Sequence, residues 1–211
     1  MSHLTKIELS IATLEKIGAM DNYSWHQAIW QCFPGKPEGK RDFLTRIDEL
    51  DGMTRIFILS PGRPRKPDWC PDEAFNVKEL ARTFLTHGRY AFDLKANPTK
   101  REVMKGPDGE ILKEKGKRGR RVFLRKADEL QGWLERKGEA NGFILSDEAP
   151  LEIRPATEHR FKARGNEGLH GGVQFRGILE VANTSKFIEG YHAGIGTAKG
   201  FGFGLLLVKP V

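Results

Sequence analysis

Cysteine is nearly absent from the sequence. Only Cys32 and Cys70 occur, and they do not form a CxxC pair. This scarcity argues against a disulfide framework and against a structural zinc site, and it suits a reducing cytosol. We therefore expect a cytoplasmic protein that folds without disulfides, metal or cofactor.

A long apolar run is also missing. The N-terminal stretch MSHLTKIELSIATLEKIG carries Lys6, Glu8 and Glu15 and resembles neither a signal peptide nor a membrane span. We expect no membrane partner. A chain of 211 residues can bury a core as one domain or as two small ones.

Acidic residues are outnumbered by basic ones, 28 against 35, which gives a net charge of +7. This excess favours an anionic partner, but it carries weight only where the charges cluster. The densest run extends from Lys95 to Lys126 and is broken by glycines. It fits a solvated basic hairpin and a loop that contacts phosphates about equally well.

Alternation and helical spacing predict two halves that each read βαββαβ. In the first half we expect strands at residues 3–11, 41–48 and 55–60, a loop through Gly18, a helix at 23–33, and a short helix followed by a strand within 73–85. In the second half we expect strands at 89–97, 121–124, 143–145, 151–154, 159–164, 174–182 and 205–208, a turn at 165–172, and helices at 127–137 and 183–193, with Gly138 beyond the first of these. The prediction is an α+β fold of tandem ferredoxin-like domains, 1–88 and 89–211.

The stretch DNYSWHQAIWQCF, residues 21–33, is the one around which the other motifs are organised. Tyr23, His26 and Trp30 fall at i, i+3 and i+7 and share one stripe of a helix. Trp25, Ala28, Ile29 and Cys32 supply the neighbouring apolar surface. We expect the tryptophans of this stretch to belong to the core. The local pattern alone favours a packed or capping role for His26 over catalysis.

Two further motifs lie in the second half. The segment HRFKAR alternates cationic and apolar residues, which places several cations on one face of an extended ribbon. The segment GIGTAKGFGFG contains Lys199 and the glycines Gly194, Gly196, Gly200, Gly202 and Gly204. It has neither the order of a P-loop nor the context of a dinucleotide fingerprint, so it is either a flexible turn or backbone that another molecule approaches closely.

Taken together, these motifs resemble the CasE family of CRISPR repeat-processing endoribonucleases. The resemblance rests on the two ferredoxin-like halves, the glycine-rich loop, FDLKANPTKR at 92–101 and Tyr-x-x-His at 23–26. It continues through RRVFLRKADELQGWLERK at 120–137 and VQFRGILEV at 173–181, and so covers nearly the whole chain. CasE proteins belong to the type I-E Cascade system and to the RAMP superfamily.

The resemblance implies metal-independent cleavage of CRISPR precursor RNA at the 3′ base of each repeat hairpin. The 2′-OH would attack, leaving a 2′,3′-cyclic phosphate and a mature guide RNA that stays bound. It also implies that Tyr23 and His26 are the catalytic pair, and that the partners are CRISPR repeat hairpin RNA and other Cascade subunits. The alternative within the superfamily is a non-catalytic RNA-binding scaffold subunit.

Binding of the hairpin would use the basic segments. The expected RNA-binding residues are Lys36, Lys95, Lys100, Arg101, Arg120, Arg121, Arg125, His159, Arg160, Lys162, Arg164 and Lys199. Lys36, which follows the early helix, is also a candidate to stabilise charge on the phosphorane.

Overall fold

The computed structural model describes residues 2–17, 22–35, 41–102, 121–163 and 166–211. Within its helices and strands, the side chains of residues 22–24, 26, 157–163 and 166–170 lie outside the described part. The predictions for Lys36, Arg120 and Arg164 therefore fall outside the described residues.

The first half forms a four-stranded antiparallel sheet with two helices. In chain order its elements are β1 (Ser2–Ser10), α1 (Ile11–Ile17), α2 (Asn22–Trp30), β2 (Leu44–Leu50), β3 (Met53–Ser60) and β4 (Phe75–Leu80). The turn between β2 and β3 is at Asp51 and Gly52, as the sequence predicts, and Gly52 has a φ of 77°. Single 3₁₀ turns at Asp72–Ala74 and Arg82–Leu85 flank β4. These short turns stand where the predicted motif has its second helix.

The strand prediction for residues 3–11 is wrong at its end, and the predicted loop through Gly18 contains a helix. Thr5, Ile7 and Leu9 are buried as the alternation predicts. Ile11, which the same alternation places with them, begins α1 and is 53% exposed. The pattern failed here because no residue of α1 is fully buried: Leu14 and Ile17 pack against the core only in part, which leaves the helix a weak apolar stripe.

The second half forms a second antiparallel sheet with a small separate hairpin. Its elements are β5 (Arg89–Ala96), β6 (Thr99–Arg101), β7 (Arg121–Phe123), α3 (Ala127–Ala140), β8 (Phe143–Leu145), β9 (Glu152–Ala163), β10 (Asn166–Val181), α4 (Thr184–Ala193) and β11 (Leu206–Pro210). α4 has the predicted N-cap, since the Asn183 side chain accepts a hydrogen bond from the amide of Lys186 at 3.0 Å.

Both sheets have the strand order of a ferredoxin-like unit. The first runs β2-β3-β1-β4 and the second runs β11-β5-β10-β8, with β9 also paired to β10. In each case the first and third strands of the unit lie in the centre and pair antiparallel. The predicted α+β fold of tandem ferredoxin-like units is therefore confirmed. We propose that the units divide at Gly88, in the exposed segment before β5.

The longest strands of the second half correct the prediction of a turn at 165–172. β10 already begins at Asn166 and pairs with β9 along a ladder that sets His170 opposite His159. Close packing explains the glycine at position 171, because a Cβ there would lie 2.7 Å from the ring of Phe123. His170 thus lies in a strand and not in a turn.

Helix α3 continues past its predicted end. Leu130, Trp133 and Leu134 are buried as expected. Gly138, however, lies inside the helix, where a Cβ would meet the carbonyl oxygen of Phe143 at 2.7 Å. The glycine allows close packing of α3 on β8 and does not end the helix.

Buried charges join the two sheets where β2 faces β5. The guanidinium of Arg46 donates to Asp48 at 2.9 Å and to Asp93 of β5 at 2.6 Å. Arg46 is only 2% exposed. The Lys95 ammonium donates to the carbonyl of Ile47 at 2.8 Å. Burial lowers the pKa of Lys95, and Asp48 acts in the opposite direction. Lys95 was expected to bind RNA; its ammonium is instead buried between the sheets, so we remove it from the RNA-binding set.

Replacing Asp93 by asparagine should lower the free energy of unfolding by about 3 kcal/mol at pH 7, because Arg46 would stay buried with one carboxylate fewer. Burial opposes ionisation of Asp93, but hydrogen bonds and charge from Arg46, with hydrogen bonds from Gln174 and Arg176, outweigh it and lower its pKa. The carboxylate therefore stabilises the fold above the unfolded-state pKa of about 4, and this contribution is lost as pH falls through the lower folded-state pKa.

Urea unfolding of the wild type and of Asp93→Asn at neutral and acidic pH measures both effects. Glu148→Gln is the matched control, since the Glu148 side chain pairs with Arg89 while 68% exposed and should change stability by less than about 1 kcal/mol. A difference between wild type and Asp93→Asn that does not shrink in acid would contradict the assignment.

Candidate active site

Helix α2 is held by an apolar face that packs on the first sheet. Trp25, Ala28 and Ile29 are buried in one cluster with Ile7 and Ile56. Tyr23 and His26 belong to the same helix, and its periodicity sets their positions on a different face from those buried residues. The predicted helix and its apolar side are confirmed, although the helix ends at Trp30 and not at Phe33. A catalytic role of the pair stays a prediction.

The end of α2 is fixed by tight turns and by aromatic packing. The amides of Gln31, Cys32 and Phe33 each donate to the carbonyl three residues earlier, at 3.2, 3.0 and 2.9 Å. Phe33 then stacks on Phe43 with ring centroids 4.5 Å apart, and Trp30 meets the same ring edge-on at 5.0 Å. Phe43 thus ties the helix to the segment that leads into β2.

Arg41 is a functional candidate that the sequence analysis missed. Its Nε donates to the carbonyl of Phe43 at 2.9 Å and its Nη2 to the hydroxyl of Thr45 at 2.6 Å. Its guanidinium also lies over the Phe43 ring, 4.8 Å from the centroid. Nη1 is buried and has no hydrogen-bond partner among the residues that the structure describes. Burial lowers the pKa of Arg41 to about 10, so the group is charged at neutral pH.

The glycine-rich loop reaches this arginine from the second half of the chain. Ile29 of α2, Arg41, Phe43 and the loop residues Gly200 and Gly202 line a cavity of about 20 Å³ between the helix, the start of β2 and the loop. A Cβ added at Gly200 would lie 3.9 Å from Arg41 Nη1. The loop and the helix, far apart in sequence, therefore meet at one place.

Most of the loop's glycines are explained by packing and by positive φ, an explanation that neither interpretation of the sequence included. Gly194, Gly196, Gly202 and Gly204 all have φ between 78° and 88°. A Cβ on Gly204 would meet the carbonyl oxygen of Ile195 at 2.7 Å. Similar contacts follow at Gly194 with Leu44, at 2.9 Å, and at Gly196 with Trp133, at 3.1 Å. Of the five, Gly200 alone is exposed, and a Cβ added there would meet nothing closer than 3.9 Å.

Lys199 supports the loop from within. Its ammonium donates to the carbonyl of Ala193 at 2.6 Å and so satisfies a carbonyl at the end of α4. Burial, followed by the charge of Lys137, lowers the pKa of Lys199. We assign it a helix-capping role in place of the expected contact with RNA.

The ANPTK motif also connects parts of this region. Asn97 is 3% exposed and donates to the carbonyl of Gly171 at 2.8 Å. Its Oδ1 accepts a hydrogen bond from the hydroxyl of Thr197 at 3.3 Å. One buried amide therefore joins the end of β5 to β10 and to the glycine-rich loop.

Four of the predicted RNA-binding residues lie on or beside the β6–β7 hairpin. Arg101 and Arg121 occupy directly opposite positions of the ladder, and both are exposed, as is Arg125. Lys100 is paired with Glu129 at 2.5 Å. Like charges directly opposite each other destabilise a pair of strands. A bound anion that contacts both arginines would remove this repulsion.

The arm formed by β9 and β10 carries three other predicted residues. His159, Arg160 and Lys162 lie within β9, where the ladder continues to Ala163. Strand alternation puts positions 160 and 162 on one face. The predicted extended ribbon is confirmed for the backbone, and RNA binding by these residues stays a prediction.

Comparison with known sequences identifies the family. A sequence model described as CRISPR associated protein matches residues 2–210. The chain belongs to this CRISPR-associated protein family. No group of three or more histidine, cysteine, aspartate or glutamate side chains with the arrangement of a metal site occurs among the family member's described residues. None of its described helices is long and apolar enough to cross a membrane.

The similar proteins cover the chain almost completely. The CRISPR system Cascade subunit CasE of Escherichia coli K12 is 27% identical over 205 residues, which is 96% of this chain and 99% of the relative. The CRISPR-associated endoribonuclease Cse3 of Thermus thermophilus is 29% identical over 223 residues, 98% and 99% of the two chains. A structure of Thermus thermophilus Cse3 bound to an RNA representing a pre-cleavage complex is 26% identical, with a TM-score of 0.69 and 99% coverage of both chains.

The two kinds of glycine in the loop can be separated by mutation. Gly204→Ala should lower the free energy of unfolding by about 2–3 kcal/mol, because the residue has a φ of 87° and its new Cβ would meet a backbone carbonyl. Gly200→Ala should leave stability within about 0.5 kcal/mol of the wild type, since nothing lies closer than 3.9 Å and its φ is ordinary. Thermal and urea unfolding measure both; equal losses would contradict the division of the loop.

Proposed function

We propose that this protein is a metal-independent endoribonuclease that cleaves CRISPR precursor RNA at the 3′ base of repeat hairpins. The observation that carries the proposal is that α2, with Tyr23 and His26, is fixed beside the glycine-rich loop in a chain whose relatives match it end to end. One of those relatives is named an endoribonuclease, and the same protein has been solved with an RNA that represents a pre-cleavage complex.

The chemistry needs two proton transfers and stabilisation of negative charge. The RNA supplies the nucleophile, its 2′-OH, which attacks the adjacent phosphorus as the bond to the 5′-oxygen breaks. One group removes the 2′ proton and another protonates the leaving 5′-oxygen, giving a 2′,3′-cyclic phosphate and a 5′-hydroxyl. A histidine can serve in either step near neutral pH, and a tyrosine can orient the 2′-OH by a hydrogen bond or stack on a base.

Binding of the hairpin would place phosphates on two basic surfaces. We assign the β6–β7 hairpin, through Arg101, Arg121 and Arg125, to backbone contacts. We assign the β9–β10 arm to the stem, where positions 160 and 162 share a face. An A-form stem hides its major groove, so an arm that reads bases there would enter at a stem end or at a distorted step.

The protein would keep its product and work inside an assembly. Because the Escherichia coli relative is named a Cascade subunit, we propose that this chain also joins other Cascade subunits, in the cytoplasm. A groove of about 410 Å³ between α3 and β8 includes Glu135, Glu139 and Asp147 in its lining. This acidic groove disfavours phosphates, which leaves it to protein contacts and confines the RNA to the basic surfaces.

Cleavage should require His26 and should not require a divalent metal. In excess EDTA, purified protein should convert a repeat hairpin RNA into a product with a 2′,3′-cyclic phosphate. His26→Ala should slow the single-turnover rate by at least about 100-fold, since it removes a proton-transfer group. Gel analysis of the ends, with and without phosphatase and kinase treatment, identifies the product.

A substrate with a single 2′-deoxynucleotide at the cleavage site is the control for this mechanism. It should bind like the all-ribose RNA and remain uncut. Cleavage of the deoxy substrate, or unchanged cleavage by His26→Ala, would refute the mechanism. Tight binding with no cyclic-phosphate product from the wild type would establish the non-catalytic scaffold instead.

The arginine pair of the β6–β7 hairpin should contribute salt-dependent binding. Replacing Arg101 and Arg121 together by glutamine should weaken RNA binding and reduce the slope of log K against log salt by about 1 to 2, because up to two phosphate contacts are lost. Arg82→Gln, on an exposed 3₁₀ turn, is the matched control with an unchanged slope. Filter binding of the 2′-deoxy hairpin across a salt series gives the slopes; identical slopes in all three proteins would exclude contact at this pair.

A further inference from the structure

Arg41 is a half-buried cation whose guanidinium is largely withdrawn from solvent. Desolvation by burial is the cause of its lowered pKa, and no ion pair with a carboxylate occurs for it in the part of the chain that the structure describes. Two of its nitrogens are held by Phe43 and Thr45, which fixes the direction of the guanidinium. The third, Nη1, is buried, and no described residue accepts a hydrogen bond from it.

An unused buried donor on a charged group is costly. Leaving such a group without a partner costs on the order of 1–3 kcal/mol, and more when it is charged. The protein elsewhere shows how it compensates a buried arginine, because Arg46 is neutralised by Asp48 and Asp93. No described residue supplies such a carboxylate to Arg41, so an anionic ligand beside Nη1 would compensate this charge.

The space beside Arg41 has the size of one oxygen atom. The cavity of about 20 Å³ is enough for one water-sized group, and its wall includes Gly200 and Gly202 of the loop. A Cβ added at Gly200 would lie 3.9 Å from Nη1 of the arginine, and one added at Gly202 would lie 3.8 Å from the amide of Ile47 in β2, both in ordinary van der Waals contact. A side chain at Gly200 would point toward Nη1 and narrow this space.

The position of the cavity relates it to the proposed catalytic pair. Ile29, which lines it, follows His26 by three residues and is therefore about one helical turn further along α2. The cavity therefore lies beside the helix that carries the proposed catalytic pair.

We propose that Nη1 of Arg41 donates a hydrogen bond to a non-bridging oxygen of the scissile phosphate. The inference rests on the proposed function. As the 2′-oxygen bonds to phosphorus and the 5′-oxygen departs, negative charge grows on the non-bridging oxygens. A guanidinium already desolvated and fixed in direction stabilises that charge without reorganisation. Arg41 is then the cation of the reaction, in place of Lys36.

Arg41→Gln tests the proposal in single-turnover cleavage of a repeat hairpin RNA at saturating protein. The rate should fall about 100-fold, as it does when a preorganised donor to a developing oxyanion is removed. Binding of the 2′-deoxy hairpin should change by less than about threefold, since the contact strengthens mainly in the transition state. Arg82→Gln should cleave at the wild-type rate. Circular dichroism at the assay temperature verifies that each variant is folded.

Phosphorothioate substrates separate contact with the phosphate from a merely structural role. Sulfur at the oxygen that Arg41 contacts should slow the wild type about tenfold more than sulfur at the other oxygen. In Arg41→Gln this difference between the two diastereomers should disappear. A structural role, with only a water in the cavity, would slow both diastereomers equally and leave the preference unchanged; that result, or a wild-type rate in Arg41→Gln, overturns the inference. Failure of the wild type to cleave at all would instead overturn the proposed function.

Discussion

The ion pair between Arg46 and Asp93 holds the two halves of the protein in one arrangement. Arg46 lies on β2 and Asp93 on β5, so the contact crosses from the first sheet to the second. The candidate site depends on this joint because its parts come from both halves. Helix α2 rests on the first sheet, whereas the glycine-rich loop leads into β11 of the second. A shift between the sheets would separate the loop from Arg41.

The distribution of charge follows a clear division. Between the two sheets, the buried Arg46 is paired with the carboxylates of Asp48 and Asp93, which offset the cost of burying its charge. At Arg41 and at the opposed Arg101 and Arg121, the described residues supply no such carboxylate. A polyanionic ligand would supply the negative charge that these arginines need. The net charge of +7 is therefore informative only once the buried and paired cations are set aside.

Sequence patterns predicted the parts of the fold in which one side of an element is buried. β5 and α3 show this, because Tyr90, Phe92 and Leu94 alternate inward and Leu130, Trp133 and Leu134 follow a helical stripe. Patterns failed where burial is weak, as in α1, and where a glycine permits contact between elements, as at Gly138.

The site was predictable only in part, because sequence pattern does not reveal which cations are buried. Lys95 and Lys199 lie in basic or glycine-rich segments, but their ammonium groups are used by backbone carbonyls of the protein itself. Arg41 stands outside the dense basic run, and only the fold brings it to the glycine-rich loop. A cation beside an aromatic residue at the start of a strand, as Arg41 is beside Phe43, is the one signal that the sequence offered.

Each sheet is built from a continuous stretch of chain, and this has a consequence for synthesis on the ribosome. The strands of the first sheet end at Leu80, so that sheet can form before β5 has been made. Yet Leu44, Leu59 and Leu80 belong to the core that the second half completes, and they stay uncovered until it arrives. The glycine-rich loop follows α4 and is made after every other part of the site. A nascent chain thus carries α2 and Arg41 without this loop until residues 194–204 have been made, and the site is complete only then.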